Sequence, residues 1–133
     1  FRKKETIQYP EERPEPAHRF RGMFRLDEDR CIKCTLCARD CPIDIIYIDW
    51  HQELNPETEK KEKVLDRFDI DYALCMYCGI CVEVCPFDAL FWSPEYEYSE
   101  PRIADLLHDK EKLGEWMETV PEAPELEAGA QKK

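Results

Sequence analysis

Cys31-Ile32-Lys33-Cys34-Thr35-Leu36-Cys37-Ala38-Arg39-Asp40-Cys41-Pro42 returns 44 residues later as Cys75-Met76-Tyr77-Cys78-Gly79-Ile80-Cys81-Val82-Glu83-Val84-Cys85-Pro86. Both stretches have the spacing C-x2-C-x2-C-x3-C-P, and together they use all 8 cysteines of the 133-residue chain. Cysteines three apart on a tight loop can close around one centre. The fourth follows one helical turn after the third, on short helical turns at 36–41 and 80–85. Pro42 and Pro86 stop those turns, because the residue before a proline is pushed out of helical geometry. The repetition continues outward. Ile43-Asp44 answers Phe87-Asp88, an apolar run follows at 45–48 and 89–92, and a strand is expected before each loop, at 23–26 and 64–70.

Three cysteine chemistries fit this pattern poorly. A disulfide framework belongs to an oxidising compartment, and no secretory segment follows Arg2-Lys3-Lys4. Zinc takes paired C-x2-C knuckles and has no use for a third cysteine two residues on. A thioredoxin-type pair needs one reactive C-x2-C, not two quartets. The run resembles that of bacterial ferredoxins, in which thiolates hold iron–sulfur clusters, and soft thiolate is the ligand such clusters select. Two [4Fe-4S] clusters are therefore expected. In two-cluster ferredoxins the fourth cysteine serves the other cluster. That assigns Cys31, Cys34, Cys37 and Cys85 to cluster 1, and Cys75, Cys78, Cys81 and Cys41 to cluster 2. No cysteine is left for catalysis, and no catalytic residue is assigned. Ile32, Leu36, Ile43, Ile80, Val82 and Phe87 are expected to pack around the clusters and exclude water. Tyr47, Met76 and Tyr77 read as core packing rather than electron relays. His18, His51 and His108 read as surface or contact residues.

Composition narrows the function. Acidic residues outnumber Lys plus Arg by 30 to 19, a net charge of -11, which argues against a nucleic-acid binder. The longest nearly apolar run, 73–82, falls far short of the about 20 residues that a membrane span needs. There is no G-x-G-x-x-G loop for a dinucleotide. A cluster domain of about 70 residues is marginal by burial alone, so cluster binding should supply much of its folding energy.

The flanks exceed what a free ferredoxin needs. The expected organisation is an extended docking arm at 1–22, an α+β, pseudo-twofold ferredoxin-like domain at 23–93, a docking segment at 94–120 and a flexible tail at 121–133. Between the halves, 51–63 is polar and reads as a solvated hairpin loop. In 94–120, Ile103, Leu106, Leu107, Leu113, Trp116, Met117 and Val120 recur at helical steps. That predicts an amphipathic helix, capped by Ser99 with Pro101 in its first turn and broken at Gly114. Residues 1–30 carry a net +1, whereas 31–93 and 94–133 carry -6 each. Arg13, Arg19, Arg21 and Arg25 fall within thirteen positions ahead of the clusters, where arginine suits bidentate docking on a partner's carboxylates or lipid phosphates.

Beyond the cysteines, Tyr9-Pro10, Arg19-Phe20-Arg21-Gly22 and Cys31-Ile32 resemble subunit I of bacterial NADH-quinone oxidoreductase. So do Asp69-Ile70-Asp71, Cys78-Gly79, Glu83, Glu95-Tyr96-Glu97 and Asp109-Lys110-Glu111-Lys112-Leu113. The resemblance implies an electron-transfer subunit of a translocating enzyme, with partners in its peripheral and membrane arms. It would be attached peripherally on the cytoplasmic side of the membrane, and would bind neither nicotinamide nor quinone by itself. Family members usually begin with a further N-terminal helix, and the chain starts at Phe1 rather than Met, so preceding sequence is expected. The same cluster domain occurs in membrane-bound hydrogenases, in ferredoxin-driven or photosynthetic quinone reductases and in soluble ferredoxins.

Overall fold

Each half of the repeat contributes strand, helical turn and strand, and neither half closes a sheet by itself. The computed structural model describes residues 6–17, 20–56, 60–115 and 117–120. The first half holds β1 (Phe24–Leu26), α1 (Leu36–Arg39) and β2 (Ile46–Leu54). The second holds β3 (Lys61–Asp71), α2 (Ile80–Val84) and β4 (Leu90–Trp92). The strands are exchanged between halves: β1 pairs antiparallel with β4, and β2 with β3. Leu26 faces Leu90 in one ladder, and Ile70 faces Ile46 in the other. Those four positions interconvert under the 44-residue shift, so the sequence repeat is a pseudo-twofold axis in space. Phe24, Leu26, Ile46, Phe68, Ile70 and Leu90 are all buried between the two sheets and the two helical turns.

Positive backbone angles repeat with the same shift. Lys33 and Tyr77 lie at φ 57° and 52°, Thr35 and Gly79 at 62° and 84°, and Asp44 and Asp88 at 53° and 47°. Left-handed residues alternating with right-handed ones turn successive N–H groups to one side, forming the concave anion-binding nests common at iron–sulfur sites. The non-glycine residues bear the strain of this geometry in both loops.

Three expectations need correction. Residues 51–63 are not mainly a loop, because β2 runs to Leu54 and β3 starts at Lys61. This outer hairpin is held by cross-strand pairs on a solvated surface rather than by burial. Lys63 lies 4.1 Å from the Trp50 ring centroid, His51 is 2.8 Å from Asp66, and Asn55 donates to Glu62 at 3.1 Å. A register shift between Asp49 and Trp50 marks where the hairpin leaves the core.

The amphipathic helix of 94–120 is also not formed as expected. A 3-10 turn (Ile103–Leu106) leads into β5 (Leu107–His108), which adds to the edge of β3, and then into α3 (Lys110–Gly114). The helical spacing fails because the β3 edge captures 107–108. Asp109 then starts a new helix, accepting a bond from the Lys112 amide at 2.9 Å. Ser99 caps nothing, whereas α3 does end at Gly114. Leu113 is fully buried against the β1 side of the core.

His108, the third correction, is not a surface residue: it is 2% exposed, and its ring centroid lies 4.6 Å from that of Tyr72 with the planes tilted by 49°. His51 is exposed, as read. His18, Arg19, Trp116 and the expected tail at 121–133 lie outside the described residues.

Candidate iron–sulfur site

Two cavities flank the contact between α1 and α2. The first is lined by Cys31, Cys34, Cys37 and Cys85, with about 380 Å³ of empty space, part of it open to solvent. The second is lined by Cys41, Cys75, Cys78 and Cys81, with about 330 Å³. Each helical turn supplies the third cysteine of its own loop to one cavity and ends by delivering the fourth cysteine to the other. The chain reverses direction at each proline, so Cys85 arrives beside the first loop and Cys41 beside the second.

The donor set fits a bulky cluster. Around zinc, with Zn–S near 2.3 Å, four thiolates would crowd to roughly 3.8 Å from one another. Among the described residues no group of three or more His, Cys, Asp or Glu side chains is disposed to hold a single metal ion. Four thiols instead ring a void, as a centre with four separate iron corners needs. Apolar side chains make up much of the remaining walls, Leu26, Ile48 and Phe68 in the first cavity and Phe24, Ile46 and Ile70 in the second, while Arg30, Lys33 and Thr35 also line the first.

That environment disfavours bare thiolates. Burial pushes the thiols of Cys37, Cys75 and Cys81 up to about 12, and their cysteine neighbours add to the shift. Cys31 is raised for the same first reason, burial, with Cys85 and Cys34 among its neighbours. Iron ligation replaces the lost solvation by metal–sulfur bonds and drives the protons off. Backbone donors approach the sulfurs: the Tyr77 amide donates to Cys75 Sγ at 3.4 Å and the Ala89 amide to Cys85 Sγ at 3.3 Å. Such bonds stabilise negative charge on the ligands and raise reduction potential.

The supporting residues divide. Ile32 and Phe87 line the first cavity while nearly half exposed, and Ile43 lines the second at 40% exposure. Leu36, Ile80 and Val82 line neither, contrary to expectation; Val82 packs on the core instead. Tyr77 does pack as core, stacked 6.2 Å from Phe24 with planes 7° apart. Tyr47 does not: it is 40% exposed, with Arg67 over its ring at 5.1 Å. Met76 is 61% exposed and lies on the wall of the second cavity.

Of Arg13, Arg19, Arg21 and Arg25, three have partners within the chain. Arg13 bridges Glu97 at 2.7 Å, Arg25 is buried and donates to the Phe24 carbonyl at 3.0 Å, and Arg21 reaches the second cysteine loop. Docking on a partner was the expectation for all of them, and these three have partners within the fold. Sequence reasoning missed Arg21 because the contact spans 57 residues. The glycine in Cys78-Gly79, beside which it lies, was the available signal.

Comparisons with known proteins agree on the chemistry. A family of 4Fe-4S dicluster domains matches residues 30–89. Subunit I 2 of NADH-quinone oxidoreductase from Streptomyces coelicolor is 56% identical over 135 residues, covering 98% of this chain and 68% of that one. Subunit I of NAD(P)H-quinone oxidoreductase from Synechocystis is 47% identical over 119 residues, covering 90% and 60%. The chain thus spans about two thirds or less of the length of these relatives. Among solved structures, a chain of the membrane-bound sulfane sulfur reductase, an archaeal respiratory membrane complex, is 34% identical with a TM-score of 0.54. That match covers 77% of this chain and 51% of the other. No helix among the described residues is long and apolar enough to cross a membrane.

Proposed function

Because the chain belongs to the NADH-quinone oxidoreductase subunit I family, we propose that it is a fixed electron relay inside such an enzyme. It would carry electrons that originate at NADH toward a terminal cluster and quinone in neighbouring subunits. The observation behind this reading is the pair of cysteine-ringed cavities on either side of one α1–α2 contact. Bound there, two [4Fe-4S] clusters supply one-electron chemistry. The protein's own part is to hold eight thiolates, exclude water with apolar walls and donate amide hydrogens to sulfur.

The same cavities support cross-ligation, with Cys31, Cys34, Cys37 and Cys85 holding cluster 1 and Cys75, Cys78, Cys81 and Cys41 holding cluster 2. Each cluster then ties the two halves together, in the way that the exchanged strands do. The segments outside 23–93 are read as docking surfaces for other subunits of the peripheral and membrane arms. The enzyme is read as a translocase, with this subunit peripheral on the cytoplasmic side of the membrane.

The test is to purify the chain from its source cells with its companions and add NADH anaerobically. Both clusters should become reduced, seen as loss of visible absorbance and appearance of paramagnetic signals, in a particle that contains other respiratory subunits. Clusters that ignore NADH but accept electrons from reduced ferredoxin would assign the chain to a ferredoxin-driven quinone reductase. A free species carrying both clusters and no companion subunit would make it a soluble carrier.

A further inference from the structure

The pseudo-twofold axis relates two carbonyl groups that are satisfied by different means. In the first loop the Cys34 carbonyl accepts a bond from the hydroxyl of Thr35 at 2.7 Å. At the equivalent point of the second loop stands Gly79, which has no hydroxyl. The Cys78 carbonyl accepts instead from Arg21 Nη1 at 2.5 Å, and the Tyr77 carbonyl accepts from the same atom at 3.2 Å. Arg21 belongs to the extended segment before β1. A neutral, local donor in one half is replaced in the other by a cation brought from the arm.

Two further features bear on that cation. Gly79 lies at φ +84°, and a Cβ there would sit 3.4 Å from Arg21 Cζ and 3.2 Å from the Trp92 ring. The guanidinium therefore lies within van der Waals range of the turn, and the positive φ is what favours glycine there. The loops also differ in their own charge. The first contains Lys33 between its first two cysteines, and the second has uncharged Tyr77 at that position. Arg21 supplies to the second loop a positive charge of the kind the first carries within itself.

We propose that Arg21 is a positioning residue of cluster 2: it clamps the Tyr77–Cys78 turn and raises the reduction potential of that cluster selectively. Reduction adds one electron and one negative charge to the cluster; a fixed cation beside its ligand loop stabilises the reduced form, and no proton or bond is exchanged. The inference rests on the relay reading above and adds which residue sets the balance between the two clusters. It also implies that a partner drawing the arm off the loop lowers the potential of cluster 2 alone.

The experiment is a redox titration of both clusters, followed by their paramagnetic signals, in the parent protein and in Arg21→Gln and Arg21→Lys variants. At a dielectric typical of a protein surface, one charge within about 10 Å changes an equilibrium roughly tenfold. Arg21→Gln should accordingly lower the reduction equilibrium constant of cluster 2 roughly tenfold, 59 mV for a one-electron couple, and leave cluster 1 within about twofold. Arg21→Lys should keep most of the parental value. The difference between parent and Arg21→Gln should shrink in 1 M salt, where the screening length falls to about 3 Å. Retention of cluster 2 by the Lys variant and its loss from the Gln variant also supports the charge. An unchanged cluster 2 potential, equal shifts in both clusters, or loss of cluster 2 from both variants overturns the proposal. Absence of two cluster signals in the parent would instead count against the relay reading itself.

Discussion

Replacing Gly22 by alanine tests how tightly the arm is seated on the cluster domain. Gly22 is buried where the arm enters β1, and the reason for glycine there is space. A Cβ at this position would stand 2.1 Å from the Ser93 carbonyl oxygen and 2.6 Å from that of Glu95, whereas real contacts of this type stay above 3.0 Å. Both obstacles are backbone, so relief needs the two segments to separate by roughly 0.9 Å, the difference between 3.0 and 2.1 Å. Separation stretches the bonds that continue the β1–β4 ladder, Met23 N–H to Glu95 O at 2.9 Å and Ser93 N–H to Met23 O at 2.8 Å. Two backbone bonds are worth about 0.5–1.5 kcal/mol each, and overpacking costs about 1–3 kcal/mol. Because the two terms overlap, Gly22→Ala should destabilise this corner by about 2–4 kcal/mol. Cluster-bound proteins rarely unfold in a two-state manner, so native-state hydrogen exchange on the cluster-loaded chain is the appropriate assay. The Met23 and Ser93 amides should exchange at least about 30-fold faster, the equivalent of 2 kcal/mol. Gly114→Ala is the control: among the described residues nothing lies within 4 Å of its added methyl, and at the end of α3 alanine should be neutral or stabilising by up to about 1 kcal/mol. Protection of Met23 and Ser93 within threefold of the parent in Gly22→Ala would refute the steric reasoning.

Cys85→Ala should damage the cluster held by Cys31, Cys34 and Cys37 and spare the other. Spectra showing loss confined to the Cys75 loop's cluster would overturn the ligand assignment. Leu113→Ala removes a fully buried side chain and should cost about 2–5 kcal/mol, measured as faster exchange in β1 and α3; a cost below about 1 kcal/mol would mean that α3 is not part of the core. His108 adds an acid sensitivity. Burial, followed by the positive charges of Lys112 and Arg25, holds its imidazole below the usual 6.5. The unfolded chain therefore binds the extra proton first, and stability present above about pH 6.5 is lost as pH falls below it. His108→Gln should flatten that part of the stability–pH curve, and an unchanged slope would show that another group causes it.

The eight cysteines and their spacing were sufficient to determine cofactor class, repeat and fold family, because ligand geometry is local: three thiols on one tight loop and a fourth one turn later need no distant partner to be recognised. The strands at 24–26, 46–48 and 90–92 were legible too, since each is a short apolar run beside a turn. Long-range geometry was not. The exchange of strands between halves depends on how the halves pack, and the meeting of Cys85 with the first loop was expected only through the resemblance to two-cluster ferredoxins. The outer hairpin escaped detection because Trp50, His51, Lys63 and Asp66 stabilise it through cross-strand pairs, which carry no apolar periodicity. The segment at 103–114 has helical spacing, yet the open edge of β3 takes Leu107 and His108 into a strand, and a free hydrogen-bonding edge outweighs a weak local propensity. Arg21 looked like a docking residue because charge and exposure are all that sequence reveals of an arginine. Only folding brings it against a carbonyl 57 residues away.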